Sequence, residues 1–415
     1  MTALTLQAQP YTPGRVKGPI RIGVTNATRD GISVIEQHEL AGFNGPYNGL
    51  AVINGAAFSH TMIRTQGLAI PTIIISADQA NQLSADTEMV LDGQRGLLIA
   101  TELLEQYPPL DIKAPPLFSP MNTQDGERIM MRASVSNRPG IMRSLSSGAS
   151  AIGLLRMEYL GSQNSTPPGA NFFIHELGTC CDKAEPLPLI ARLPDFNNEK
   201  LPNWCKPLDH CFNRESRGSR IYDQEPFKTL INNILKAVDQ CSEYYDLRLL
   251  LPYMDSVEEF VRQRDQIRGQ ISGTVSIGAM LETATAVKQI NSFLSESDFV
   301  AIGTNDMIAD LLGCARDSEQ MNAYEPAIYQ LLQQTAEQAG RRTREIQLNG
   351  QLIRMPGVLS VLIGLGYRIF SIDPLLIPCL AETIKRTDTA SAAQLAQQVC
   401  LAANIRAVKK LMSIK

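Results

Sequence analysis

The sequence has no apolar run approaching the roughly 18–20 residues that span a bilayer, and its first residues lack the charged-then-apolar pattern of a secretory leader. A soluble, cytoplasmic chain is therefore expected. Neither sign of charge is in excess: 38 Lys and Arg stand against 42 Asp and Glu, a net charge of −4, with a pI near 5.7. Without a basic footprint, nucleic acid is not an expected partner. There is no internal repeat and no low-complexity tract, which excludes a solenoid. Cysteine is sparse, with eight in 415 residues, and scattered, which suits reduced thiols better than a disulfide framework. Cys180, Cys181, Cys205, His210 and Cys211 fall near one another, but neither pair has the spacing of about two to four residues that turns two ligands onto one zinc ion. They read as ordinary loop and core residues.

What is present suggests two domains, because 415 residues exceed one ordinary core. Residues 1–104 read as a small α/β domain with strands at Ile20–Val24, Leu50–Ile53, Thr72–Ile75, Glu88–Leu91 and Gly96–Ile99. A helix is expected from His60 to Gln66, capped by Ser59. Pro108, Pro109, Pro115, Pro116 and Pro120 mark residues 105–120 as a linker, since proline suits neither helix interior nor central strand. From residue 121 to 415, strands alternate with helical stretches. The strands are Ile129–Ala133, Ala151–Leu155, Leu187–Ala191, Leu247–Leu251, Val275–Met280, Phe299–Ile302, Ile346–Leu348 and Ile369–Ile372. That alternation predicts an α/β fold with a (β/α)8 barrel. Gly161–Pro186 reads as a long irregular loop, and Ala390–Lys415 as a terminal helix.

The chemistry gathers where these strands end. Val275–Glu282 and Phe299–Asp306 each run from an apolar strand to a carboxylate, and helical stretches are expected at Thr283–Leu294 and Met307–Leu312. In such barrels functional groups occupy the C-terminal rim, and two carboxylates there suit Mg²⁺ with positions left open for substrate. Arg156 and Arg192 also follow strands, Arg217 and Arg220 lie in Ser-Arg-Gly-Ser-Arg, and Arg316 comes shortly after Asp306. Several guanidinium groups around a metal suit a multiply charged anion, whose oxygens match the guanidinium fork. Singly, any of them is equally well a surface ion-pair partner. His60 stands at the start of a helix, where free N–H groups favour a phosphoryl group, and neutral imidazole is a competent nucleophile. His38, His175 and His210 have no comparable setting.

These motifs resemble the phosphoenolpyruvate (PEP)-utilising enzymes: enzyme I of the sugar phosphotransferase system, PEP synthase and pyruvate phosphate dikinase. Tyr11-Thr-Pro-Gly, Gly55-Ala-Ala-Phe-Ser-His60, Gly67-Leu-Ala-Ile-Pro-Thr and Asp92-Gly-Gln-Arg-Gly96 are similar to segments of the family's swivelling phosphohistidine domain. Gly153-Leu-Leu-Arg156-Met-Glu, Arg192-Leu-Pro-Asp195, Arg217-Gly-Ser-Arg220 and Ile302-Gly-Thr-Asn305-Asp306 are similar to segments of its PEP-binding barrel. The resemblance implies Mg²⁺ on Glu282 and Asp306. It also implies PEP phosphate gripped by Arg156, Arg192 and Arg217, with Arg220 in the same motif, and help from Asn305 and Arg316. His60 would be the phosphoryl acceptor. A homodimer is implied on the same ground.

Three features depart from that pattern. Asn349 stands where the family carries the cysteine that protonates the enolate carbon, and a carboxamide cannot supply that proton; transfer to His60 could survive, with enolpyruvate ketonising in solution. Ala57 and Phe58 alter the histidine motif. No ATP-grasp or carrier-docking helical domain is expected in this sequence, so a separate protein or small molecule would exchange the phosphoryl group. The expected function is a PEP-dependent phosphotransferase. The alternatives are a catalytically degenerate PEP- or pyruvate-binding module and a metal-dependent enolpyruvate lyase.

Overall fold

The computed structural model describes residues 4–24, 29–42, 47–116, 121–181, 187–196, 201–205, 218–318 and 320–414, without the side chains of 41, 42 and 179–181. Contacts divide the chain into two units: Met1–Lys113 with Ala315–Met321, and Ala114–Cys314 with Asn322–Lys415. Among the described residues no helix is long and apolar enough to cross a membrane.

The first unit is built on an eight-stranded sheet in the order β1-β8-β7-β3-β4-β5-β6-β2. Its strands are β1 (Thr5–Gln7), β2 (Gln9–Thr12), β3 (Arg15–Ile22), β4 (Ile32–Glu36), β5 (Gly49–Ile53), β6 (Thr72–Ile75), β7 (Glu88–Asp92) and β8 (Leu97–Ala100). β3 to β6 run parallel, and the outer pairings are antiparallel. Ile20, Ile32, Val34, Ala51, Ile73, Leu91 and Leu98 form its buried core. β1, β2 and β4 escape a reading by apolar run: the first two are short and polar, and β4 follows directly on an Arg-Asp-Gly turn. The helix His60–Gly67 starts as expected, with Ser59 Oγ accepting the Met62 N–H at 3.2 Å.

The second unit is a closed parallel barrel, with β9 (Met121–Asn122) added antiparallel outside it. The staves are β10 (Arg128–Val135), β11 (Ile152–Arg156), β12 (Leu189–Arg192), β13 (Leu247–Leu251), β14 (Ile277–Leu281), β15 (Val300–Gly303), β16 (Gln347–Asn349) and β17 (Ile369–Ile372). β17 pairs with β10, and β10 with β11, which closes the ring. A (β/α)8 barrel is therefore the fold of this unit. Leu154, Ile190, Leu250, Met280 and Ala301, one from each of β11 to β15, pack together as its inner core.

Three local expectations need correction. Gly161–Pro186 contains the helix Ala170–Cys181. Its Phe173 and Leu177 are fully buried at i, i+4 spacing, a helical stripe hidden in the sequence by flanking proline and glycine. The C-terminal stretch is two helices, Thr389–Cys400 and Ile405–Leu411. Asn404 Oδ1 accepts the Ala407 N–H at 3.0 Å and caps the second. The helix after Glu282 likewise breaks into Ala284–Val287 and Ile290–Glu296.

Candidate active site

Side chains alternate along a strand, so residues two apart share a face. Ile190, Met280 and Leu154 face the barrel core; two residues on, at the carboxyl ends, come Arg192, Glu282 and Arg156. The sequence thus puts two cations and an anion on the inner rim by continuing the core-facing register past the last apolar residue.

Arg192 is the hub. It is 3% exposed and forms a close ion pair with Glu158, itself 2% exposed. A terminal nitrogen also lies 3.8 Å from Glu282 Oε1. Burial alone would lower the pKa of its guanidinium, but Glu158, Glu282 and Asp195 outweigh that and hold it well above the ordinary value. Glu282, 3% exposed, accepts the Tyr253 N–H at 3.1 Å through Oε2. A Cβ added at Gly303 would meet Glu282 Cγ at 2.7 Å and Oε1 at 2.8 Å. Glycine here lets the carboxylate lie against the strand end that begins the next helix.

That helix, Thr304–Leu312, carries Asp306 in its first turn. Asp306 is therefore not at a strand end, as the sequence suggested, but just beyond one, where the N-terminal helix dipole favours a carboxylate. Asp310 of the same helix accepts the Ala284 N–H at 2.8 Å, which ties it to the segment after Glu282. Among the described residues no three His, Cys, Asp or Glu side chains converge on a metal position. Carboxylates are the donor type that Mg²⁺ takes, one or two from the protein with the rest of its octahedron left to water and phosphate.

The other expected residues are placed as follows. Arg156 donates to Ser136 Oγ at 3.2 Å. Asn305 is 9% exposed, and its Oδ1 accepts the Gln351 N–H at 2.9 Å. Asn349 is 2% exposed on the inner register of β16, and its carbonyl accepts from Thr304 Oγ1 at 2.7 Å. Arg220 is paired with Asp255 at 2.8 Å and lies 3.7 Å from Glu259, a partly exposed ion pair of the kind that contributes little. Arg217, His210 and Cys211 lie outside the described residues. Arg316 groups with the first unit rather than the barrel. Its Nε donates to Phe58 O at 3.0 Å, and a terminal nitrogen lies 2.7 Å from His60 Nε2. An arginine can only donate, so in this contact His60 Nε2 is the acceptor.

Glu158, paired with Arg192, and Asp373, within the electrostatic reach of Arg156, were not singled out from the sequence. Glu158 belongs to a quoted motif, but its buried pairing has no signature in sequence. Asp373 follows β17, two residues beyond Ser371. Its carboxyl is pushed up to about 6 by burial, against the opposing effects of the Leu375 N–H and of Arg143, Arg156 and Arg354. Ionisation is thus disfavoured in the native state. Stability from this group is complete below about pH 4 and is lost as pH rises through about 6. Asp373→Asn keeps an oxygen for Leu375, so it should gain up to about 3 kcal/mol on the wild type between those limits, less what solvent screening removes. Urea unfolding at both pH values checks this; a constant difference between the two proteins would contradict it.

Residues 117–389 match the model of the PEP-utilising enzyme, PEP-binding domain. A PEP-protein phosphotransferase of Haloferax volcanii is 24% identical over 88% of this chain and 68% of its own length. A multiphosphoryl transfer protein of Xanthomonas campestris is 26% identical over 84% of the chain, and multiphosphoryl transfer protein 2 of Escherichia coli 24% identical over 84%. The chain spans 44% and 45% of those two relatives, respectively. With the family model covering well over half of the sequence, and the barrel it describes present in the structure, this chain belongs to the PEP-utilising enzymes through their PEP-binding domain.

Proposed function

We propose that the chain is a PEP-dependent phosphotransferase in which His60 takes the phosphoryl group from PEP and passes it to a separate protein or small molecule. The observation that carries this reading is the buried Glu158–Arg192–Glu282 array on the barrel rim. Its arginine is charged at any working pH and its outer carboxylate lies against the helix that bears Asp306. The names of the relatives point the same way.

In this reading Arg156, Arg192 and Arg217 neutralise the phosphate oxygens, and positioning with neutralisation is most of what phosphoryl transfer requires. Glu282 and Asp306 would hold Mg²⁺, which when bound would supply charge neutralisation to the phosphate. His60, whose Nε2 lies 2.7 Å from Arg316, is the nucleophile of the first unit, which serves as the phosphohistidine carrier. Intact-mass measurement after mixing with PEP and Mg²⁺ should show a single added phosphoryl group. Tight binding without any added mass would instead support a PEP-sensing module, which the carboxamide at Asn349 favours.

A further inference from the structure

β10 and β16 bring Arg132, Gln347 and Asn349 together in one hydrogen-bonded chain. There Arg132 donates to Gln347 Oε1 at 2.8 Å, while Gln347 Nε2 donates to Gly153 O at 2.9 Å and to Asn349 Oδ1 at 2.8 Å. The relay has only one sense. Arginine has no acceptor and a backbone carbonyl no donor, so the Gln347 amide cannot flip, and Asn349 Oδ1 must be the acceptor. Asn349 Nδ2 is therefore fixed as a donor. It is buried and has no hydrogen-bond partner among the described residues. A buried donor without a partner is costly, and it points to a group that arrives from outside the fold.

We propose that Asn349 Nδ2, aimed by Arg132 and Gln347, donates to an oxygen of the bound three-carbon acid and gives no proton to its carbon, so that the product leaves as enolpyruvate. This rests on the phosphotransferase reading above. The bond from phosphorus to the enol oxygen breaks as a bond from phosphorus to the His60 imidazole nitrogen forms. The electron pair stays on the enol oxygen, which Asn349 stabilises by hydrogen bonding and which takes a proton from water. C3 gains its proton only after release, as the enol O–H gives its own up. Asn349 is thus a product-determining residue, and Gln347 and Arg132 are positioning residues.

The test follows PEP bearing one deuterium at C3 in defined geometry, through one turnover in tritiated water with Mg²⁺. Free enolpyruvate is protonated on either face, so the pyruvate methyl group should be racemic while phosphoprotein forms in equal amount. Asn349→Cys, which restores an acid, should give a chiral methyl. A chiral methyl from the wild type overturns the inference and leaves the phosphotransferase reading standing; absence of phosphoprotein overturns both. Calorimetry with oxalate and Mg²⁺ should show Asn349→Leu and Gln347→Leu binding roughly 10–100-fold more weakly. Unchanged affinity would mean that ordered water alone meets Nδ2, and the inference would fall.

Discussion

Arg192→Leu should cost about 3–5 kcal/mol of folding stability, far more than an average substitution. The reason is what it leaves behind. Glu158 and Glu282 are each almost fully buried and share this guanidinium, so a leucine of fair shape would take from both carboxylates the positive charge they share. The loss should depend on pH in a defined sense. In the wild type the arginine titrates outside any accessible range, because its pKa is held above the ordinary value. In the variant, the buried carboxylates can relieve the cost only by binding protons, which raises their folded-state pKa. Such groups stabilise most when protonated and lose that contribution as pH rises. The deficit should therefore be greatest near neutrality and shrink as pH falls toward the ordinary glutamate range of about 4. Urea titrations across that interval, in the absence of Mg²⁺, read it directly. A deficit that does not change with pH would mean that lost packing, not stranded charge, dominates. Glu158→Gln combined with Arg192→Leu should recover part of the loss, since one stranded charge is then gone.

The same residues show what could be read in advance. β13 and β17 emerge from the sequence residue for residue as Leu247–Leu251 and Ile369–Ile372, because a fully buried parallel strand is a bounded apolar run. The charged rim of the barrel is legible for a related reason: the first charged residue after such a run, in the inward register, comes at the barrel mouth. Arg156, Arg192 and Glu282 follow that rule. Asp306 does not, because the strand stops at Gly303 and the helix takes over before the carboxylate appears. Long-range pairings were invisible. Nothing in the spacing of Glu158 and Arg192 announces a buried ion pair, and nothing in the sequence of β16 says that Gln347 fixes the amide of Asn349. The place of Arg316 depended on tertiary packing too, since a fixed distance from Asp306 along the chain does not decide which unit a loop residue joins.

His60→Ala should abolish phosphoryl incorporation from labelled PEP, by at least about 10³-fold, the scale on which removing a nucleophile exposes only residual catalysis. The contrast with Glu282→Gln makes the result informative. The histidine belongs to the first unit, and the Arg192–Glu282 pair to the second. His60→Ala should therefore bind PEP with Mg²⁺ as tightly as the wild type while taking up no label. Glu282→Gln should lose both, because it removes one of the two carboxylates proposed to hold the cation. His60→Gln adds a control, since it can still accept the Arg316 hydrogen bond through its amide oxygen and should be as unlabelled as the alanine variant. Label persisting in His60→Ala would place the acceptor elsewhere and remove the phosphohistidine role. Wild-type turnover by His60→Ala in carbon–carbon bond formation would move the chemistry to the barrel alone. An enolate made there and never passed through a phosphoenzyme needs the arginines and carboxylates of the barrel, but it has no use for an imidazole on the first unit.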